Sequence, residues 1–323
     1  MFKKAFVTGG AGFIGSHIVD RLVELGVPVV VYDNFATGFR SYLAAHETSG
    51  AIEVVEGDVL DLEKLSGAMR GADAVFHFQA NADVRGGMTQ TRIDLEQNTI
   101  ATWNVADAAR SHGVKTFVFA SSATVYGEPD RFPTPENHAS EQTSLYGASK
   151  LACEAMLQAY TEYFGMRCFI FRFVSWIGER YSHGVIFDFL AKLKANPRRL
   201  EILGDGSQRK SYLYVRDGVD GIFTALERST APKNIFNLGH DQFIDVHEMA
   251  AAVIDGMGLQ GVELHYTGGV RGWLGDSPLV HLDTSAIKRL GWTPKTSIRS
   301  GIEQTVQYLQ RHPELLERRA LLR

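Results

Sequence analysis

The sequence is poor in cysteine and has neither a long apolar run nor a block of basic residues. Its 323 residues include two cysteines, Cys153 and Cys168. Neither has a second cysteine nearby or a metal-ligand spacing to histidine, so we expect buried, inert thiols and no metal site. No apolar stretch is long enough to span a bilayer. A formal net charge of −4 gives no electrostatic case for nucleic acid or an anionic membrane as a partner.

The rest of the composition is that of a globular protein. Hydrophobic residues make up 45% of the chain and charged residues 22%, both ordinary values. The length suits one large domain or two closely joined domains. The first apolar run begins almost at Met1 and leaves no room for a signal peptide, so we expect a cytoplasmic protein.

A glycine-rich stretch, AFVTGGAGFIGS, lies at the start of the chain. The apolar run Ala5 to Val7 precedes Gly9, Gly12 and Gly15, and apolar residues then recur at helical period. This pattern predicts a strand, a tight turn and a helix. Glycines allow the sharp turn, the approach of a pyrophosphate to bare backbone and close packing of helix on strand. The anion would then lie at the N-terminus of the helix.

An acidic residue follows at the distance typical of a dinucleotide-binding unit. The apolar run Val27 to Tyr32 predicts a second buried strand that ends at Asp33, which lies 33 − 15 = 18 residues after Gly15. A carboxylate there can accept hydrogen bonds from the adenosine ribose and would repel a 2′-phosphate. The sequence therefore predicts NAD rather than NADP.

Strand-like and helix-like segments alternate beyond Asp33, which predicts a parallel sheet. The predicted strands are Ile52–Glu56, Ala74–Phe78 and Thr116–Ala120, and the predicted helices are Leu62–Met69 and Asn98–Ser111. Asp58 follows the first of these strands. It either contacts the adenine amino group or caps the helix that starts at Leu62, and the sequence alone leaves both open.

Hydroxyl side chains and a Tyr-Lys pair predict the catalytic chemistry. Ser121, Ser122 and Thr124 follow the last of these strands, and Tyr146 and Lys150 are four residues apart in a helical pattern, which places both on one face. A free phenol has a pKa of ~10. We expect the lysine ammonium and a cationic nicotinamide to lower it. Tyr146 could then remove a hydroxyl proton while hydride leaves the same carbon.

At these positions the chain resembles the extended short-chain dehydrogenase/reductases and, within them, the nucleotide-sugar epimerases of the NAD-dependent epimerase/dehydratase family, most closely the shorter UDP-glucose 4-epimerases. The likeness spans nearly the whole chain. The motifs that carry it are TGGAGFIG (Thr8 to Gly15), DNFATG (Asp33 to Gly38), GDVLD (Gly57 to Asp61), SSATVYG (Ser121 to Gly127), YGASK (Tyr146 to Lys150), GDG (Gly204 to Gly206), SYLYVRD (Ser211 to Asp217) and GWLGD (Gly272 to Asp276).

The resemblance implies a catalytic set of Ser122, Tyr146 and Lys150, with Thr124 near the sugar. Besides Tyr146 and Lys150, the implied NAD contacts are Gly9, Gly12, Phe13, Ile14, Asp33, Asn34, Gly38, Asp58, Val59, Ala80 and Asn98.

The implied substrate contacts match the family pattern less closely. Family members usually have Asn where Ser175 stands and Arg where Lys210 stands, whereas this chain has its arginine one residue earlier, at Arg209. A register shift and a different phosphate clamp both remain open. Arg271 and Asp276 match as phosphate and ribose contacts. Val185, Ile186 and Leu203 would flank the base, with plain core packing as an equal alternative.

The implied fold is α/β: a doubly wound, parallel Rossmann sheet with a smaller, discontinuous C-terminal substrate domain. Residues 1–173 and 213–243 would form the NAD-binding domain, and residues 174–212 and 244–323 the substrate domain. Within the first part, Asn234 to Gly239 would return to the sheet as a strand.

The implied reaction is 4-epimerisation of a nucleotide sugar by transient oxidation and re-reduction at C4. Elimination and decarboxylation are disfavoured, because sugar 4,6-dehydratases have an Asp-Glu pair where Ala123 and Thr124 stand, and uronate decarboxylases have Glu at Thr124. A non-catalytic NAD-binding regulator is an alternative of another class. The presence of Ser122, Tyr146 and Lys150 together argues against it.

UDP-glucose and UDP-galactose are the expected substrates, which would place the enzyme in galactose metabolism. UDP-glucuronate is the alternative, because Arg85 could bind a C6 carboxylate. The other roles open to Arg85 are a phosphate contact and a solvated loop charge, and these are favoured over carboxylate binding.

A homodimer is also expected, because the family pairs through helices that here would be Asn98–Ser111 and Tyr146–Phe164. The second helix has apolar residues, including Leu157 and Tyr160, beyond one core-facing stripe.

Overall fold

A computed structural model describes residues 2–321. The strands, in chain order, are β1 (Ala5–Thr8), β2 (Val29–Asp33), β3 (Ile52–Glu56), β4 (Ala74–His77), β5 (Thr116–Ser122), β6 (Arg167–Phe173), β7 (Ser175–Ile177), β8 (Arg199–Ile202), β9 (Arg209–Lys210), β10 (Tyr212–Tyr214), β11 (Lys233–Leu238), β12 (Ile244–Asp245), β13 (Glu263–Tyr266) and β14 (Leu279–Val280).

Helices follow most of these strands. They are α1 (Phe13–Glu24), α2 (Ala44–Thr48), α3 (Leu62–Ala68), α4 (Ala101–Ser111), α5 (Leu145–Phe164), α6 (Val185–Ala195), α7 (Val215–Arg228), α8 (Val246–Gly256), α9 (Ser285–Arg289), α10 (Ile298–Arg311) and α11 (Glu314–Leu321). Short 3₁₀ turns cover Arg40–Tyr42, Gly86–Met88 and Ala123–Tyr126, and a π-helical turn, Leu95–Ile100, leads directly into α4.

Seven parallel strands form the central sheet, in the order β11-β6-β5-β4-β1-β2-β3. The chain winds outward from β1 in both directions, so the strand order reverses between β1 and β4. Ligands of open α/β sheets bind at the carboxyl ends of the strands at such a point. The predicted Rossmann fold is confirmed.

Helices cover both faces of this sheet. On one face α1 and α7 pack together, with Leu22 and Ile222 fully buried. On the other, α3, α4 and α5 pack over a core that includes Val105 and Leu157. Strands such as β1 and β2 are buried along their whole length, as expected when a sheet is covered on both faces.

The chain leaves the sheet after β6 and returns to it once. Strand β7 pairs with β10, and two further small sheets join β12, β9 and β14, and β13 and β8. Strand β11 then pairs in parallel with β6, as predicted for Asn234 to Gly239. The predicted domain boundaries remain predictions.

Two other expectations can be compared with the structure. Cys153 and Cys168 are buried free thiols, as predicted, and burial raises the pKa of both. Within residues 2–321, none of the helices combines the length and apolarity that a membrane crossing requires.

Candidate active site

The glycine-rich turn brings three backbone segments into close contact at the switch point. Gly9 has φ 67°, and a Cβ there would lie 2.6 Å from the backbone nitrogen of Gln79. A Cβ at Gly15 would lie 2.1 Å from the carbonyl oxygen of Gly9. Gly12 is the N-cap of α1 and supplies no side-chain cap, and the first turn of α1 has no acidic residue. The N-terminus of α1, where Phe13 and Ile14 lie, therefore fits an anion such as a pyrophosphate.

Asp33 is held at the end of β2 by two backbone donors. Its carboxylate accepts hydrogen bonds from the nitrogens of Ala11 at 2.9 Å and Phe35 at 2.8 Å. Burial raises the pKa of Asp33, and these two bonds act in the opposite direction. Each carboxylate oxygen accepts one backbone bond and has a further lone pair, so the residue fits a ribose diol. Gly38 lies against the same turn, since a Cβ there would be 2.8 Å from the Cβ of Ala11.

Asp58 does not cap α3, which was one of the two roles that the sequence left open for it. Asp61 caps α3 by accepting a bond from the nitrogen of Lys64 at 3.1 Å, whereas Asp58 accepts one from the nitrogen of Leu60 at 2.9 Å. The amide of Asn34 lies 3.4 Å from the other oxygen of Asp58. Asp33, Asn34 and Asp58 therefore lie together at the ends of β2 and β3.

Two of the residues predicted to contact the cofactor have side chains that pack against or hydrogen-bond to other parts of the protein. The side chain of Val59 is buried in the core. Asn98 is 2% exposed; it accepts a bond from the nitrogen of Asn81 and donates to Asp94 and Ser149. Asn98 thus links the end of β4 to α5. Ala80, next to Asn81, is half-buried.

Ser122 and Tyr146 meet where β5 ends and α5 begins. The Ser122 oxygen accepts bonds from the nitrogen and the hydroxyl of Thr124, at 3.2 and 3.0 Å. Because these donors point at the oxygen, the Ser122 proton is directed elsewhere, and the interaction with Ser122 acts to lower the pKa of the Tyr146 phenol. The helix is well defined at both ends, with Ser144 as N-cap and Gly165 in the left-handed region at φ 66°.

Lys150 lies behind Tyr146 on the same helix. Its ammonium donates to the carbonyl of Ala120 at 2.9 Å and lies 5.8 Å from the centre of the Tyr146 ring. Only 3% of Lys150 is exposed, and this burial lowers its pKa to about 8.

The phenol of Tyr146 differs from the sequence-based expectation. Burial raises the pKa of Tyr146 to about 12; the bond from Ser122 opposes the rise, and the charges of Asp94 and Cys153 add to it. The cost of desolvating a phenolate therefore outweighs what the chain supplies. The expected lowering has to come from a cation bound beside the phenol.

The structure brings Arg271, Asp276 and Lys210 together. The Asp276 carboxylate lies 2.5 Å from the Lys210 ammonium and accepts a bond from the nitrogen of Gly272 at 3.1 Å. Arg271 donates to the Asp276 carbonyl at 3.1 Å. Arg209 is not part of this group, because successive residues of a strand face opposite sides; its guanidinium lies 5.4 Å from the ring centre of Phe243.

The remaining predicted substrate residues fall into different environments. Ser175 is exposed at the start of β7, and Leu203 is 39% exposed. Val185 is half-buried, but Ile186 is fully buried, so core packing describes its side chain. Arg85 is on an exposed loop, 3.9 Å from the carboxylate of Asp83.

Sequence reasoning missed two acidic residues, each of which forms an ion pair with an arginine. Glu128, just after the SSATVYG motif, forms an ion pair with Arg271 at 2.7 and 2.9 Å. Glu154 forms a buried ion pair with Arg172 at 2.7 Å. The spacing of Glu154, four residues after Lys150 on one helix, was the available signal.

Comparisons with known proteins identify the family. A model of the NAD dependent epimerase/dehydratase family matches residues 5–239. The putative UDP-glucose 4-epimerase of Methanocaldococcus jannaschii is 31% identical, over 94% of this chain and 97% of that protein. The UDP-glucose 4-epimerase of Mycolicibacterium smegmatis is 32% identical, over 95% and 98%. A crystal structure of UDP-galactose 4-epimerase is 39% identical, with a TM-score of 0.87 over 96% of this chain and 99% of that one.

The site and the comparisons agree on the cofactor. The glycine turn and Asp33 fit a dinucleotide without a 2′-phosphate, and the matching family model covers well over half of the sequence. The chain therefore belongs to the NAD dependent epimerase/dehydratase family and is an NAD-dependent enzyme.

Proposed function

We propose that the chain is a nucleotide-sugar 4-epimerase whose substrates are UDP-glucose and UDP-galactose. The observation that carries the proposal is the grouping of Ser122, Tyr146 and Lys150 at the carboxyl end of β5. The relatives reported above, which bear these activities in their names, support it.

The chain supplies the proton transfers of this reaction. Tyr146 takes the proton of the sugar 4-hydroxyl and later returns it, while Ser122 donates a hydrogen bond to the phenolic oxygen. Lys150, fixed by the carbonyl of Ala120, places a positive charge behind the ring. Bound NAD supplies a reversible hydride acceptor for the same carbon.

The turn after β5 has no carboxylic acid at positions 123 and 124, where an elimination reaction would need one. Position 123 is Ala, and the Thr124 hydroxyl donates to Ser122, so neither residue is a carboxylic acid able to assist elimination. This composition favours epimerisation over dehydration.

The substrate anions would be bound from the C-terminal part of the chain. In this proposal Arg271 and Lys210, with Ser175, contact the diphosphate, and Asp276 contacts the ribose. Arg271 presents a planar fork that suits a phosphate, whereas Lys210 presents a point charge.

A neutral hexose fits the loop near Arg85 better than a uronate does. Arg85 lies 3.9 Å from Asp83, so the loop has little net positive charge to offset the cost of desolvating a carboxylate. UDP-glucuronate is therefore the alternative rather than the preferred substrate.

Chromatography of the products tests the function. Purified protein with NAD should convert UDP-galactose to UDP-glucose without accumulating NADH in proportion to product. Net NADH formation, or no conversion of any UDP-hexose, would contradict the proposal. If kcat/KM for UDP-glucuronate exceeds that for UDP-galactose, the substrate assignment is wrong while the reaction type stands.

We also propose that the enzyme is a homodimer formed through α4 and α5. The predicted support from Leu157 was wrong, because this side chain is fully buried in the chain's own core. Other apolar residues are exposed instead: Ile100, just before α4, by 39%, Trp103 of α4 by 44% and Tyr163 of α5 by 79%. An exposed apolar face of this kind suits a protein interface.

A further inference from the structure

A buried ion pair lies behind the catalytic residues. Glu154 is fully buried in α5 and Arg172 is 5% exposed in β6. The guanidinium of Arg172 meets the carboxylate with Nε at 3.0 and 3.2 Å and Nη2 at 2.7 Å. Burial by itself would lower the pKa of Arg172, but the bonds and charge of Glu154 raise it. Arg172 is therefore positively charged at neutral pH.

This pair holds both ends of the turn that carries Ser122. At the first end, the Ser121 hydroxyl donates to Glu154 at 2.5 Å. At the other end, Arg172 Nη1 donates to the Tyr126 hydroxyl at 2.9 Å. Ser122 and Thr124 lie between these two anchors, and neither contacts the pair itself in the bonds described.

The far side of the turn is fixed to the edge of the sheet. The Tyr126 hydroxyl donates to the side-chain oxygen of Asn237 at 2.7 Å, and the amide of Asn237 donates to the carbonyls of Thr134 and Asp283. Tyr126 is 2% exposed and Asn237 fully buried. The bonds from Tyr126 to Asn237 and from Asn237 to Thr134 are thus shielded from water, whereas the bond to Asp283 is partly exposed.

The energetics favour a positioning role over a stabilising one. Removing two charges from water costs several kcal/mol per ion, and an apolar pair of similar volume is often as stable or more so. A fully satisfied polar network, however, fixes a single arrangement of the groups that it joins. The groups joined here are the helix of Tyr146 and Lys150 and the turn of Ser122.

We propose that the ion pair of Glu154 and Arg172 is a positioning element that sets the place of the Ser122 hydroxyl relative to Tyr146. The inference rests on the proposed function, which assigns Ser122 and Tyr146 to proton transfer. Glu154 and Arg172 act through Ser121 and Tyr126, and none of the four touches the reacting atoms.

The test removes the two anchors and keeps the charges paired. Glu154→Gln would leave a buried guanidinium without its partner and destabilise the fold, so Ser121→Ala and Tyr126→Phe are the informative variants. Each deletes one hydroxyl. Thr305→Val is the matched control, because Thr305 is fully buried and bonds a backbone carbonyl within α10, in the substrate part of the chain.

Both variants should lower kcat about tenfold with KM within about twofold, since a small misplacement of a catalytic group costs rate rather than binding. The acidic limb of the pH profile of kcat should move to higher pH, because a misplaced Ser122 favours the phenolate less. The other groups facing Tyr146, namely Lys150, Asp94 and Cys153, are unchanged. The control should show neither effect.

A substrate-free readout separates this proposal from the proposed function. Ultraviolet titration of the NAD-loaded protein follows the phenol directly when Tyr146→Phe, made in the same background as each variant, serves as the blank. The titration should shift to higher pH in both variants. No conversion of UDP-hexoses by wild type would defeat the proposed function alone. The positioning role is wrong if both variants keep the wild-type phenol titration, or if kcat falls only in step with the unfolding temperature.

Discussion

Arg271 and Glu128 form a two-point ion pair between the loop before β14 and the end of the Ser122 turn. The guanidinium contacts both carboxylate oxygens, at 2.7 and 2.9 Å. Under the proposed function, a diphosphate would compete with Glu128 for this same fork. An internal carboxylate thus contacts the guanidinium that we expect to bind phosphate.

Glu128→Gln should therefore tighten the binding of UDP. Both side chains are a little over a third exposed (38% and 39%), and such pairs contribute about 0–1 kcal/mol, so the Kd should fall by up to about fivefold. Titration calorimetry with UDP measures the change. Glu201→Gln, which removes the acid of a surface pair with Lys192, is the control. Weaker binding by Glu128→Gln would instead make Glu128 a ligand contact.

Tyr146→Phe should abolish turnover and leave NAD and UDP bound. The substitution deletes one hydroxyl and keeps the ring, and general base catalysis contributes roughly 10²–10⁴ in rate. Steady-state assays together with calorimetry give both quantities. Activity within tenfold of wild type would remove Tyr146 from the mechanism.

Asp33→Ala should weaken the binding of NAD more than the binding of NADP. The substitution removes ribose acceptors in the first case, and in the second it also removes a charge that repels the 2′-phosphate. Fluorescence titration with each reduced cofactor measures the two Kd values, and Asp255→Ala, a surface acid paired with Arg299, is the control. Equal losses for both cofactors would show that Asp33 does not discriminate between them.

Local patterns in the sequence predicted the features that depend on local sequence. The spacing of Gly9 to Asp33 defines one strand-turn-helix-strand unit, and the structure reproduces it with β1, α1 and β2. Tyr146 and Lys150 share a helix, so their proximity also followed from spacing alone.

Features that depend on tertiary contacts could not be predicted in this way. Asp58 and Asp61 both stand before α3, and only the bond from Lys64 shows which of them caps it. In the short strand β9, the side chain of Lys210 rather than that of Arg209 faces Asp276. A sequence pattern of only two residues does not show which of them faces which side of the strand. The raised pKa of Tyr146 arises from burial, which no local pattern encodes.

The stability of the protein should depend on Lys150 at alkaline pH. Its pKa is lowered by burial from 10.5 to about 8 in the folded state, so between these values the unfolded chain binds more protons than the folded one. Stability from this residue therefore rises with pH across that window, by at most ~1.4 kcal/mol per pH unit. Denaturant unfolding gives the free energy of unfolding of wild type and of Lys150→Met. From pH 8 toward pH 10, this free energy should rise in wild type relative to the variant. A constant difference would mean that Lys150 keeps its ordinary pKa.

Trp103→Glu should dissociate the proposed dimer. Trp103 is 44% exposed on α4. Losing the burial of a large apolar side chain while adding a charge costs about 2 kcal/mol or more, which weakens association at least about thirtyfold. Sedimentation equilibrium at micromolar concentration measures the change. Leu274→Glu is the control, because Leu274 is 80% exposed but lies on the Arg271 loop, outside the helices α4 and α5. A monomeric wild type would contradict the proposed dimer. A dimer that tolerates Trp103→Glu but is dissociated by Leu274→Glu would place the interface away from α4.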